Sequence, residues 1–233
     1  MDEVMKLVRN RHSHRVAFDE TRKIADDDLT QILEAAQWAP TAHNMQNFQI
    51  VVVDDRSLLD AIGAISRPVS EVFVRENYQQ LSFSEEELAK KKVGLLGSMF
   101  PPYMRNPEAA ILPKGMPTMP APVLLFVLYD PRRRAPASEG DFLGTISLGC
   151  VMENMWLVAD SLGIGFHVVS SLSAPEVAQE IKNILAIPEP LRIAFACRLG
   201  YPAVSQGRYF RVRRDIGDFA HRNRFGGAYE GEG

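Results

Sequence analysis

The segment Asp141 to Leu162 constrains this chain more than any other. Phe142, Leu143, Ile146, Leu148, Val151, Met152, Met155, Trp156, Leu157 and Val158 recur at helical spacing without leaving a clean polar face. A helix that is apolar nearly all round needs burial on every side. A chain of 233 residues can supply only part of that cover, so the rest is expected from a second copy of the same chain. Gly144, Ser147 and Gly149 would let another helix approach closely. The expected state is a homodimer.

The elements around this helix read more simply. Met1 to Asn10 carries Val4, Met5 and Val8 at helical spacing. Asp26 to Trp38 is a second helix, with acids in its first turn, Leu29, Ile32, Leu33 and Ala36 on its apolar face, and Pro40 after its end. Phe48 to Val53 is a β-branched run that predicts a strand, and Ser57 to Ile65 predicts a helix. Val123 to Tyr129 is apolar on both faces and predicts a central strand. Phe166 to Val169 and Leu191 to Leu199 predict two more, separated by a helix that Ser173 and Glu176 would cap, with Pro175 near its start, running to about Leu185. The order gives an α+β domain, a central mixed β-sheet flanked by helices, spanning residues 1–233 as one domain.

Residues 66–120 break the rhythm and read as an insertion, either a lid or structural packing. Ser84 with Glu87, and the pairs Glu86–Lys90 and Glu87–Lys91, predict a solvated helix near 84–96. Phe100, Tyr103 and Met104 follow it and are candidates to cover a substrate, or ordinary loop packing.

Charge excludes several partners. Lys and Arg total 26 against 29 acids, a net charge of −3, so no general attraction to nucleic acid or to an anionic membrane is expected. Two cysteines, Cys150 and Cys197, each sit in an apolar run and read as buried thiols. The start of the chain has no apolar leader pattern, and a cytoplasmic location is the expectation. No G-x-G-x-x-G follows a strand, and the P-loop, H-E-x-x-H and G-x-S-x-G patterns are absent. His12, His14, His43, His167 and His221 show no metal-ligand spacing, so no metal is expected.

What remains is arginine beside a polar loop. Arg11-His12-Ser13-His14-Arg15 places two guanidinium groups and a hydroxyl within five residues, and Arg211-Val212-Arg213 supplies two more guanidiniums. The planar guanidinium fork suits phosphate because it can bond two oxygens at once. Each cluster taken alone also reads as a solvated charge run. Between the second helix and the first strand, Pro40-Thr41-Ala42-His43-Asn44-Met45-Gln46-Asn47 offers amides that both donate and accept, as the pyrimidine edge of a flavin requires.

Together these segments resemble the nitroreductase family of FMN enzymes. The resemblance rests on Arg11, Ser13 and Arg15 after the first helix, and on Pro40, Thr41, Asn44 and Gln46 before the first strand. It also rests on the turn Leu162-Gly163-Ile164-Gly165, and on Arg211 and Arg213 ahead of a final helix from Ile216 to Phe225. The chain departs from the family pattern at Asn47-Phe48, where Pro-Trp is usual.

By that resemblance, Arg11, His12, Ser13, Arg211 and Arg213 would hold the phosphate and ribityl chain of FMN. Arg15 would stand by flavin N1 and O2, raising the reduction potential. Val168, Val169, Ser170 and Ser171 would pass along one flavin face with a backbone N–H near N5. Pro40, Thr41, Ala42, Asn44 and Gln46 belong to the same site, the loop from Pro40 to Asn44 reaching it from the partner subunit. The implied activity is ping-pong transfer from NADH or NADPH, through flavin N5, to a small acceptor such as a nitroaromatic or quinone. No protein acid or base is implied, since the flavin carries the chemistry. A reductive dehalogenase, a flavin-consuming enzyme and a non-catalytic flavin-binding protein are the alternatives.

Overall fold

A computed structural model describes residues 2–65, 86, 90, 120–138, 140–204 and 213–229. The chain divides into two compact units, residues 1–68 with 114–206 and residues 69–113 with 207–233.

In the first unit, helix α1 (Glu3–Asn10) begins where the Asp2 carboxylate accepts from Val4 N–H at 3.2 Å. Helix α2 (Asp26–Gln37) starts with three acids, which suit the positive end of the helix dipole, and buries Leu29, Ile32 and Ala36 along one face. Strand β1 (Gln49–Val53) leads to α3 (Arg56–Gly63), capped by Asp55 accepting from Leu58 N–H at 3.0 Å. Strand β2 (Val123–Tyr129), helix α4 (Phe142–Ser161), strand β3 (Gly165–Val168), helix α5 (Pro175–Ile184) and strand β4 (Arg192–Gly200) complete the unit.

The strands lie in the order β1-β2-β4-β3. All three pairings are antiparallel, so the sheet of the described residues is not the mixed one expected. In the register Val168↔Cys197, β4 begins beyond the end at which β3 leaves. Helix α5 therefore covers the sheet without carrying the chain to its far end, as a parallel crossover would require. Strand β2 is central, as its two apolar faces predict. Val123, Leu125 and Val127 join a core with α2 and α4, while Leu124, Phe126 and Leu128 join a second core with α3 and α5.

Helix α4 is unevenly covered. Val151, Met155, Trp156 and Ala159 are buried, whereas Phe142, Leu143 and Ile146 are 70%, 36% and 47% exposed. By length and composition it could cross a membrane, but its second half packs against α2 and the sheet as a core helix does.

Two local expectations fail. Ser173 does not cap α5: Ala174 occupies the N-cap and makes no side-chain bond, because a 3-10 turn at Ser170–Ser173 runs directly into Pro175. In the second unit, the helix expected from Ile216 to Phe225 is only a 3-10 turn, Ile216–Asp218, closed by reciprocal capping between Asp215 and Asp218. Beyond it Asn223 takes φ 65°, and Arg222 N–H bonds Gly227 O at 3.1 Å, which folds the chain back before a helix can propagate. Glu86 and Lys90, both helical and exposed, are the described part of the helix predicted near 84–96.

Candidate active site

The arginine-rich segment leaves α1 at Arg11, where φ −48° and ψ 129° end the helix. It then runs beside β3, with His14 N–H bonding Phe166 O at 3.0 Å. Phe18 fixes its far end. Gly165 and Gly200 face each other across β3 and β4, and a Cβ on either would meet the Phe18 side chain at 2.5 or 2.7 Å. Only glycine at both positions lets Phe18 lie there.

Helix α4 braces the near end. Arg11 Nε pairs with Glu153 Oε1 at 3.0 Å, its guanidinium lies 4.6 Å from the Trp156 ring, and Trp156 Nε1 donates to His12 O at 3.2 Å. A guanidinium has five N–H donors, so one edge can serve a carboxylate and another a phosphate. Trp156 in turn stacks on Phe166 at 5.2 Å. Side-chain atoms of His12, His14 and Asp160 also gather within 4.8 Å, a grouping hidden in the sequence because Asp160 comes from α4.

Strand β3 stops at Val168. Val169 N–H bonds Ala196 O at 2.8 Å, and the chain tightens into the turn containing Ser170 and Ser171. The structure thus brings Arg11 to Arg15 beside the strand whose end carries Val168 to Ser171.

The loop Pro40 to Asn47 is strained and well tied. His43, Asn44 and Gln46 all have positive φ, 51°, 50° and 46°, a conformation that costs L residues free energy and gathers at functional sites. Gln46 N–H donates to Thr41 Oγ1 at 3.1 Å, Gln46 Nε2 donates to Asn44 Oδ1 at 3.1 Å, and Ala42 N–H donates to Ser147 Oγ at 3.0 Å.

The loop and the arginine segment meet α4 on different sides. At about 3.6 residues per turn, Glu153, Trp156 and Asp160 lie roughly half a turn round the helix from Ser147. One chain therefore presents the two polar segments on opposite faces of the same helix.

Positive charge dominates the arginine segment. Arg198, 1% exposed, donates from Nε to His167 Nδ1 at 2.9 Å and from Nη2 to His14 O at 3.1 Å and Val16 O at 2.7 Å. Nη1 reaches Pro120 O at 3.4 Å, and the Phe18 ring lies 4.3 Å away. Burial, helped by the Arg15 charge, lowers the Arg198 guanidinium to about 10. Burial and the charges of Arg198 and Arg15 push His167 down to about 3, and burial with His12 and Arg198 pushes His14 down to about 4. Both imidazoles are neutral at pH 7. His167, accepting at Nδ1, carries its proton on Nε2.

A sequence model of the nitroreductase family matches residues 8–201. The chain belongs to the nitroreductase family. Among curated relatives, it is 28% identical to a protein of Archaeoglobus fulgidus named as a candidate NADH dehydrogenase/NAD(P)H nitroreductase, over 97% of this chain and 100% of the relative. It is 24% identical to an NADPH-dependent oxidoreductase of Staphylococcus haemolyticus, over 95% of this chain and 74% of that one. Its fold is that of a nitroreductase with bound FMN from Bacteroides fragilis, with TM-score 0.56, 20% identity, and 94% and 98% of the two chains covered. A nitroreductase with bound FMN from Desulfitobacterium hafniense is similar at TM-score 0.58 and 22% identity, covering 91% and 95%.

Where this chain departs from the usual Pro-Trp, Asn47 takes a structural part. Its Nδ2 donates to Asp130 O at 2.9 Å and Arg133 O at 3.0 Å, and its Oδ1 accepts from Asp130 N–H at 3.2 Å. These hydrogen bonds tie the loop to the exit of β2.

Arg211, Phe100, Tyr103 and Met104 lie outside the described residues, and Arg213 is exposed in the second unit. Sequence reasoning missed Glu153, Asp160 and Arg198, and read Ser147 only as a small residue for close helix approach, not as the partner of Ala42 N–H. A signal existed for Arg198, the one charged residue inside the apolar run Ile193 to Leu199.

Proposed function

We propose that this nitroreductase-family protein is an FMN-dependent, cytoplasmic homodimer that takes electrons from NADH or NADPH and passes them to a nitroaromatic, a quinone or a similar small acceptor. The observation that carries the reading is the electropositive segment Arg11 to Arg15. It is docked against β3 by Phe18, and burial together with nearby positive charge keeps two imidazoles neutral. That donor set fits an anionic, phosphate-bearing group: two guanidinium forks, the Ser13 hydroxyl, and backbone N–H groups following β3. The names of the relatives support the nicotinamide donor, and the FMN bound in similar folds supports the cofactor.

When bound, FMN supplies hydride acceptance and electron delivery in alternate half-reactions. The protein supplies position and charge. Arg11, His12 and Ser13 would hold the phosphate and ribityl chain, and the family resemblance gives Arg211 and Arg213 the same role. Arg15 would favour the gain of negative charge at the pyrimidine end, and Val168 to Ser171 would line one face. Because Pro40, Thr41, Ala42, Asn44 and Gln46 stand on the opposite face of α4 from Arg11, they complete the site of a second copy, and each site draws on both chains. His14 and His167, lowered to about 4 and about 3, are not imidazolium near pH 7 and offer the acceptor no charged acid.

The test is direct. The purified protein should be yellow, release FMN on denaturation, and bleach anaerobically on addition of NADPH or NADH. Release of FAD, absence of flavin, or a flavin that neither nucleotide bleaches would overturn the reading.

A further inference from the structure

Arg198 stands in the middle of an apolar strand, and its partners define what it can do. Among the described residues it is held by three carbonyls, one imidazole and one aromatic face, with no carboxylate. A buried cation without a counter-charge is costly, and a strap needed only for folding would be served by a neutral donor or by an arginine paired with an acid. The Nη2 contacts are specific. They go to the carbonyls of His14 and Val16, the residues on either side of Arg15. Nε is fixed by His167 on β3, so the fork is referenced to the sheet and grips the loop.

We propose that Arg198 is a positioning residue: its fork clamps the backbone on both sides of Arg15 and so sets where the Arg15 charge stands against the flavin. This rests on the FMN reading above. The charge, which no described carboxylate pairs, then has a purpose, since a cation close enough to feel Arg15 strengthens the field that favours added negative charge on the cofactor. Lysine cannot replace it, because an ammonium is a point charge without the planar fork that holds two carbonyls and an imidazole together.

The experiment is a double-variant cycle on purified holoprotein, reading the midpoint potential of bound FMN, its dissociation constant and the melting temperature. In Arg198→Lys the potential should shift negative and FMN should bind about tenfold more weakly, the scale of one charge-assisted hydrogen bond. In an Arg15→Gln background, the same change should move the potential little further, because the residue being positioned is gone. A structural strap would instead lower the melting temperature and leave the potential where it was. If the Arg198 variants do not fold, His167→Leu removes the Nε anchor and should shift the potential the same way, with His167→Gln restoring it. Additive shifts in the cycle, or an unchanged potential in folded Arg198→Lys or His167→Leu, would overturn the proposal. Wild-type protein that holds no FMN would overturn the functional reading itself.

Discussion

The two halves of helix α4 are both rich in apolar residues and differently placed in the structure. From Val151 onward the helix sinks between α2 and the sheet, and Val151, Met155 and Ala159 have no exposure at all. Before it, Phe142, Leu143 and Ile146 stand out into solvent. One helix therefore has one part covered by its own chain and one left exposed, which under the proposed function a second copy would cover. The buried half also braces Arg11 and His12, while the exposed half holds the Pro40–Asn47 loop through Ser147.

The sharpest break in this comparison is Trp156→Ala. It removes a large buried side chain, its stack on Phe166 and its hydrogen bond to His12 O, so it should cost about 3–5 kcal/mol in urea denaturation. A loss below about 1 kcal/mol, the range of ordinary substitutions, would mean the second half of α4 is not core.

Acid should discriminate next. His14 lies by the buried half, grouped with Asp160, and His167 lies on β3 against Arg198; their pKa values are lowered from 6.5 to about 4 and about 3. Unfolding lets both take up protons below their ordinary value, so their contribution is intact above pH 6.5. It is lost as pH falls toward 4 for His14 and toward 3 for His167. Melting of the apoprotein should therefore drop between pH 6.5 and 5, and His14→Gln with His167→Gln should flatten that slope. An unchanged slope in the double variant would place the acid sensitivity elsewhere.

The smallest change in stability should come from Ile146→Asp, within about 0.5 kcal/mol for the isolated chain because the side chain faces solvent. Its effect on assembly is the opposite. Light scattering should show a monomer in place of a dimer, with loss of bound flavin. A variant that remains a dimer would show that this half of α4 is not the contact.

Much of this was legible in the residues. The doubly apolar run Val123 to Tyr129 is the central strand with those bounds, and the ends of α2 and α4 fall within a residue of their predicted places. Periodicity carries such information because each element buries a face. It carries none about pairing direction, and the mixed sheet expected is antiparallel through its described strands. Local rules failed where neighbours overrode them: Ser173 lost the cap to a 3-10 turn ahead of Pro175, and Gly217 and Asn223 sit in a segment that turns back at residue 222. In the site, Arg11, Ser13 and Arg15 were visible as a motif. Their supports Glu153, Trp156 and Arg198 come from distant elements, and no spacing rule could link them.

The clamp from Arg198 to His14 and Val16 joins residues separated by 184 and 182 positions. Phe18 likewise needs Gly200 before it can seat. The segment synthesised among the first is thus fixed among the last, after the closing strand has left the ribosome. Under the proposed function, cofactor loading would wait for β4, and a nascent or truncated chain that stops short of β4 would have the arginines but not the clamp that holds their segment.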